Sequence, residues 1–215
     1  MKAVVLGGSG QTGQALLEQL SRDQRFTSIT AISRREFAVP ARCHLLKLDF
    51  DNIENWKLPE IPTHVFCSLG TTIKQAGSKE NFQKIDKDLV IKLATFFKTL
   101  GTGSFCYVSS MGASTESAGF YLKMKGQTEK ELTELGFDSL IILRPGLLLT
   151  KKRDESRPLE TFGQGLMRLL NPVIPESLAA LKGVDTELLA LRMIEHSVKG
   201  KSKVIESAEI QKKLL

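Results

Sequence analysis

The sequence predicts an α/β protein built on a doubly wound parallel sheet, with helices on both faces of the sheet and a small C-terminal cap. Short, strongly apolar segments alternate with longer segments that carry apolar residues at helical spacing. This alternation is typical of a parallel sheet covered on both faces. The first apolar segment ends in a glycine-rich turn that opens a helix, and after Pro145 the alternation stops.

Six short apolar segments are expected to be strands, because each is bounded by glycine, proline or polar residues. They span residues 2–6, 28–32, 44–50, 63–70, 104–110 and 139–146. Segments with helical periodicity predict helices over residues 11–20, 78–99 and 120–135, then 161–170 and 185–197, with a polar loop over 151–159. One domain over residues 1–215 is expected, with a sheet core over 1–147 and the cap over 148–215.

The composition excludes several classes of protein. The chain has 215 residues, 41% hydrophobic and 25% charged, which suits a single globular core. No apolar run approaches the roughly 20 residues of a membrane span, and no secretory signal is seen, so a cytoplasmic protein is expected. The three cysteines and three histidines lack disulfide or metal-ligand spacing. The net charge of +6 comes from scattered residues without a nucleic-acid-binding motif, so no nucleic-acid partner is expected.

The glycine turn "GGSGQTG" after the first strand predicts a dinucleotide site. Its glycines would allow a tight turn, close approach of a pyrophosphate, and close packing of the helix on the strand. The free N–H groups of the helix N-terminus would meet the phosphates. The residues expected to bind the cofactor here are Gly7, Ser9, Gly10, Gln11, Thr12 and Gly13.

The residues after the second strand favour NADP(H) over NAD(H). An NAD-binding protein places Asp or Glu about 20 residues after the last glycine, against the ribose 2′-hydroxyl. This chain has Ser33, Arg34 and Arg35 there, and a guanidinium can hold a 2′-phosphate with two hydrogen bonds. Further cofactor contacts are expected at the ends of the third and fourth strands, from Asp49, Phe50, Ser68, Leu69 and Gly70.

A tyrosine and a lysine lie four residues apart in the predicted helix over 120–135, so they share one face of it. A positive charge near Tyr121 would lower its pKa, and Lys125 could supply that charge. Such a tyrosine can exchange a proton while a nicotinamide exchanges a hydride. Ser109 and Ser110 end the preceding strand, and a serine there could orient a substrate oxygen.

The chain resembles the short-chain dehydrogenase/reductase superfamily, in its atypical branch, and is similar to the Tat-interacting-protein-like oxidoreductases. The resemblance rests on "GGSGQTG", "CSLGTTIKQAGS", "KIDKDL", "VSSMGAS", "FYLKMKGQTEKEL" and "LRPGLLL", in that order over residues 1–175. It implies an NADP(H)-binding Rossmann-type fold with Tyr121 and Lys125 as the catalytic pair. It also implies a catalytic serine at Ser110 or Ser109 and a cofactor contact at Arg34, and it places Pro145 beside the nicotinamide.

Two functions are therefore considered. The first is an oxidoreductase that acts on an unidentified carbonyl or alcohol, and the second is a non-catalytic NADP(H)-responsive module that binds a protein partner. A monomer or a homodimer is compatible with either function. Thiol chemistry at Cys67, near the end of the fourth strand, is disfavoured because no histidine is placed to act as its base.

Overall fold

The computed structural model describes residues 1–149 and 183–212. Its strands are β1 (Lys2–Leu6), β2 (Ser28–Ser33), β3 (His44–Lys47), β4 (His64–Cys67), β5 (Ser104–Val108), β6 (Ser139–Arg144), β7 (Leu148–Leu149), β8 (Val184–Asp185) and β9 (Lys203–Glu206). Within these ranges, seven strands form one parallel sheet in the order β3-β2-β1-β4-β5-β6-β9, and β7 pairs with β8 in parallel. The structure therefore confirms the predicted doubly wound parallel sheet.

Helices connect these strands. The α-helices are α1 (Gln11–Arg22), α2 (Ile73–Ala76), α3 (Lys79–Gln83), α4 (Leu89–Thr99), α5 (Phe120–Glu134), α6 (Thr186–Lys199) and α7 (Ser207–Ile210). A 3-10 helix spans Phe50–Asn55, and a π turn at Lys84–Asp88 joins α3 to α4. No helix in the part of the chain that the structure describes is long and apolar enough to cross a membrane.

The sheet buries an apolar layer on each face. Along β1, Ala3 and Val5 belong to the layer that contains residues of α1 and α6, whereas Val4 and Leu6 belong to the layer that contains residues of α4 and α5. Both faces are buried, and this explains why the strands read as continuous apolar runs instead of alternating ones. Full burial of a side chain such as Leu6 contributes about 1.5–3 kcal/mol.

The C-terminal part differs from the expectation that residues 148–215 form a cap. β9 pairs with β6 and α6 packs against α1, so residues 184–210 complete the sheet and one apolar layer. The β9 strand was missed because three of its four residues are exposed and both ends are charged, as is usual at a sheet edge. The predicted helix over 185–197 is confirmed as α6. The predicted loop over 151–159 and helix over 161–170 lie outside the described residues.

The predicted helix over 78–99 is present, but its middle is not α-helical. Ser78 is the N-cap, and its Oγ accepts a hydrogen bond from the Asn81 N–H at 3.1 Å. The π turn at Lys84–Asp88 then inserts a wider turn, which places the Asp86 side chain in the interior. Such single π turns inside α-helices are frequent at functional sites.

Candidate functional site

The crevice between the carboxyl ends of β1 and β4 is the point at which the strand order reverses. Doubly wound sheets bind their ligands at such a point. Gly7 follows β1 with φ +84°, and an added Cβ there would lie 2.8 Å from the carbonyl carbon of Ser68. Ser68 Oγ donates a hydrogen bond to the Leu6 carbonyl oxygen at 3.1 Å. These contacts leave room only for glycine at position 7, which explains the first glycine of the turn.

The rest of the glycine turn has the shape that a pyrophosphate requires. An added Cβ at Gly13 would lie 2.2 Å from the Gly7 carbonyl oxygen, so α1 can pack this closely only with glycine there. An added Cβ at Gly10 would lie 3.4 Å from the Gly7 carbonyl oxygen, and apart from the two adjacent residues no other described atom lies within 4 Å of it. Gly10 is the N-cap of α1, and no side chain caps the helix there. The turn thus combines open space with a helix N-terminus, which fits an anionic dinucleotide.

The remaining residues of the turn lie beside this space. Ser9 is exposed, and Gln11 and Thr12 are half-buried in the first turn of α1. On the other side of the crevice, Leu69 is half-buried and Gly70 is exposed.

Two exposed arginines follow β2 at the predicted ribose end of the crevice. The guanidinium carbon of Arg34 lies 6.0 Å from the centre of the Phe50 ring, and the Arg35 N–H donates to Ser33 Oγ at 3.1 Å. Arg34 therefore reaches the end of β3, where an adenosine would be expected. This position suits a guanidinium that stacks on a ring and holds a phosphate.

Asp49 and Phe50 also have structural partners at this end. The Asp49 carboxylate accepts hydrogen bonds from the Asp51 N–H at 3.0 Å and from Asn52 Nδ2 at 2.5 Å. These bonds hold the pKa of Asp49 below its usual value. The Phe50 ring is mostly buried against Trp56, with the two ring centres 5.1 Å apart. The 3-10 helix thus fixes both residues at the carboxyl end of the sheet.

Tyr121 and Lys125 have very different surroundings on α5. Tyr121 is 37% exposed, and the centre of its ring lies 5.6 Å from that of Phe82. The Lys125 side chain is 4% exposed, and its Nζ lies 3.0 Å from Asp86 Oδ1 and donates to Tyr107 Oη at 3.0 Å. The lysine is therefore buried and held by a carboxylate and a phenol, while the tyrosine ring remains accessible.

Burial and charge act against each other around Lys125. Burial disfavours its ammonium, but Tyr107, Asp86 and Tyr121 outweigh burial and raise the Lys125 pKa. Burial also raises the pKa of the Asp86 carboxyl, and the nearby ammonium opposes that rise. Burial raises the pKa of Tyr107 to about 12, so this phenol stays protonated at neutral pH. The result is a protonated lysine with a built-in counter-ion.

The two candidate serines have different surroundings. Ser109 is buried, and its Oγ donates a hydrogen bond to Glu129 Oε1 at 2.5 Å. The same carboxylate accepts from Arg144 Nε at 3.0 Å and from Nη2 at 2.5 Å. Ser110 is half-buried, and its hydroxyl makes no hydrogen bond to the described part of the chain. Ser109 is thus held in a buried network, which leaves Ser110 as the better candidate to meet a substrate.

The segment between β5 and α5 is fixed to both of its neighbours. The Met111 N–H donates to the carbonyl oxygen of the buried Pro145 at 2.9 Å. An added Cβ at Gly126 would lie 2.2 Å from the carbonyl carbon of Ser114, so α5 lies directly on this segment. The ends of β5 and β6 and the start of α5 are therefore one packed unit. Among the described residues, no group of three or more His, Cys, Asp or Glu side chains is placed to hold a metal ion.

Sequence reasoning missed four partners at this site, namely Asp86, Tyr107, Glu129 and Arg144. A signal for Asp86 was available, because it lies four residues after Phe82 and four before Val90, both fully buried. A carboxylate on the apolar face of a helix requires a partner. Burial also raises the pKa of the Cys67 thiol to about 12, which agrees with the expectation that it is not a nucleophile.

Comparison with known proteins identifies the family of the chain. Residues 7–167 match the model of a family described as NAD(P)H-binding. Protein HTATIP2 of Rattus norvegicus is 34% identical over 211 residues, covering 95% of this chain and 84% of that protein. Protein FMP52-1, mitochondrial, of Scheffersomyces stipitis is 32% identical over 176 residues, covering 80% of this chain and 77% of that protein. Because that fungal name includes the word mitochondrial, a cytoplasmic location stays a prediction for this chain.

A solved structure also shares the fold. A UDP-N-acetylglucosamine 4-epimerase from Methanobrevibacter ruminantium superposes with a TM-score of 0.70 at 15% identity, covering 95% of this chain and 76% of the epimerase. At that identity the likeness concerns the fold alone. From the family match and the two relatives, the chain belongs to the NAD(P)H-binding family and to the group of proteins that includes HTATIP2 and FMP52-1.

Proposed function

We propose that the protein is an NADP(H)-dependent oxidoreductase that acts on a carbonyl or an alcohol. The observation that carries this proposal is that the loop after β4 packs against α5, the helix that contains Tyr121 and Lys125. An added Cβ at Gly70 would lie 3.9 Å from Lys125 Nζ. The lysine thus lies next to the loop that follows β4, on the same crevice as the glycine turn.

Each polar side chain has a distinct role in this proposal. The bound nicotinamide supplies the hydride chemistry. Tyr121 donates a proton to the substrate oxygen in reduction and accepts one in oxidation, and its exposed ring is accessible to a substrate. Lys125 stabilises the phenolate by its charge and binds the nicotinamide ribose. Ser110 holds the substrate oxygen by a hydrogen bond.

The preference for NADP(H) is proposed from the arginines after β2. Arg34 lies over Phe50, and no residue of Ser33–Arg35 carries a carboxylate that would repel a 2′-phosphate. Arg34→Ala is expected to weaken NADPH binding by about tenfold or more, since a charge-assisted contact is lost, and to leave NADH binding nearly unchanged. Arg22→Ala, an exposed arginine at the end of α1, is the control and should change neither affinity. Equal weakening of NADPH and NADH by Arg34→Ala would contradict the preference.

The reaction is tested by following NADPH fluorescence with a panel of aldehydes, ketones and quinones. The wild-type protein should consume NADPH with at least one panel member, and Tyr121→Phe should bind NADPH normally but lose turnover. Lys123→Ala, an exposed neighbour on α5, should retain turnover. If Tyr121→Phe turns over as fast as wild type, the proposed role of the tyrosine is wrong. Saturable binding without turnover for any compound would instead favour the NADP(H)-responsive binding module.

A further inference from the structure

Lys125 forms a buried ion pair with Asp86, a residue that has no role in the reaction as described. The side chains of Lys125 and Asp86 are only 4% and 2% exposed, and Nζ lies 3.0 Å from Oδ1. The other carboxylate oxygen of Asp86 accepts a hydrogen bond from the Thr71 N–H at 2.7 Å. Asp86 therefore joins two elements, the lysine on α5 and the backbone of the loop after β4.

The ammonium has three hydrogen-bond donors. Asp86 and Tyr107 occupy two of them at 3.0 Å each. Among the described residues no other side chain accepts from the third donor, which is therefore assigned to a group in the crevice, where Gly70 lies next to the ammonium. Two fixed partners thus set the direction in which the third N–H points.

The other titratable groups near Lys125 do not replace Asp86 as its counter-ion. Tyr107 on β5 and Cys67 on β4 both have a pKa raised to about 12 by burial, so both are neutral at neutral pH. Tyr121 lies on the same helix as the lysine and contributes to the raised Lys125 pKa. Among these groups, the carboxylate that balances the buried ammonium belongs to Asp86.

We propose that Asp86 is a positioning residue, which aims the Lys125 ammonium at the nicotinamide ribose and ties it to the loop after β4 through the Thr71 N–H. This inference rests on the proposed role of Lys125 as a cofactor contact. Asp86 itself does not touch the cofactor. Its position on the π turn brings its carboxylate into the interior between α5 and the β4 loop.

A comparison of two ligands tests this role without measuring turnover. NADPH carries the nicotinamide riboside, whereas adenosine 2′,5′-bisphosphate has only the adenosine half. Asp86→Asn should weaken NADPH binding by about tenfold to 100-fold, since a charge-assisted contact to the ribose is misdirected. Binding of adenosine 2′,5′-bisphosphate should change by less than about twofold. The matched control is Asp88→Asn, the same substitution at an exposed residue of the same turn, which should change neither affinity.

The possible results distinguish a failure of the proposed role of Asp86 from a failure of the proposed function on which it rests. Equal weakening of both ligands by Asp86→Asn would show a general structural role and would overturn the proposal, and so would unchanged NADPH binding. If the wild-type protein bound neither ligand, the proposed function itself would fail. If wild type bound both ligands but Lys125→Gln left NADPH binding unchanged, the lysine would not be a cofactor contact.

Asp86→Asn leaves the buried Lys125 ammonium without a counter-ion and could therefore prevent folding. A second variant keeps the test decisive in that case. Asp86→Asn with Lys125→Gln replaces the ion pair by two neutral amides. In the Lys125→Gln background, Asp86→Asn should change the NADPH dissociation constant by less than about twofold, because Asp86 acts through the lysine. A further loss of affinity in that background would contradict the proposal.

Discussion

Ser109 and Ser110 are adjacent in the chain, yet their surroundings differ, and we expect different effects when each is replaced by alanine. Ser109→Ala removes one hydrogen bond to the Glu129 carboxylate, while Arg144 retains its own two bonds to that group. A hydrogen bond to a charged partner contributes about 1.5–3 kcal/mol, so Ser109→Ala should lower the free energy of unfolding by that amount. For a domain of this size the melting temperature should fall by about 3–12 °C.

Ser110→Ala should behave in the opposite way. Its hydroxyl has no hydrogen-bond partner among the described residues, so the free energy of unfolding should change by less than about 0.5 kcal/mol. If Ser110 holds the substrate oxygen, turnover of NADPH should fall by about 100-fold or more, as when one donor to a reacting oxygen is removed.

Thermal unfolding and NADPH turnover, measured on both variants and on wild type, form the assay. The substrate for turnover is the best member of the carbonyl panel. The expected roles of the two serines would be refuted if Ser109→Ala kept its stability but lost turnover, while Ser110→Ala lost stability but kept turnover. The stability measurements alone already test the buried network.

Three further predictions concern stability and reactivity. Gly126→Ala should destabilise the protein by about 1–3 kcal/mol or more, because the added Cβ would lie 2.2 Å from the Ser114 backbone. Urea unfolding measures this loss, and the control is Gly119→Ala, whose added Cβ would lie 3.8 Å from its nearest neighbour. Equal destabilisation by the two substitutions would contradict this packing. Burial lowers the pKa of His64 in the folded protein below its value in the unfolded chain, so stability should fall as the pH drops from about 7 towards 5. His64→Phe should make this fall in stability smaller. The same dependence of stability on pH in wild type and His64→Phe would contradict this prediction. All three cysteines are buried, so a thiol reagent at pH 8 should label them only on unfolding, and rapid labelling of the native protein would be inconsistent with the fold.

Most of the sheet could be predicted from the sequence because a parallel strand buried on both faces is a short apolar run. β1, β2, β4, β5 and β6 have this property, and the glycine turn marked where the first helix begins. β9 could not be predicted this way, since an edge strand exposes much of its surface and carries charges. Its place in the sheet depends on contacts with β6 that lie far away in the sequence.

The candidate site was predictable where residues act through local spacing and unpredictable where they act through tertiary contacts. Tyr121 and Lys125 are one helical turn apart, so their shared face follows from the helix alone. The partner of Lys125, by contrast, lies 39 positions earlier on a π turn, and only the folded chain brings Asp86 to it. The same holds for the choice between the two serines, which depends on Glu129.

The most direct test of the central claim is a fluorescence titration of NADPH against wild-type protein and Gly10→Val. The turn is open at Gly10, and the backbone there is extended, so valine can be accommodated by the fold but would fill the space assigned to the pyrophosphate. We predict saturable NADPH binding by wild type, an unchanged melting temperature for Gly10→Val, and at least about tenfold weaker NADPH binding by that variant. No binding by wild type, or equal binding by a folded Gly10→Val protein, would contradict the assignment of this crevice as the dinucleotide site.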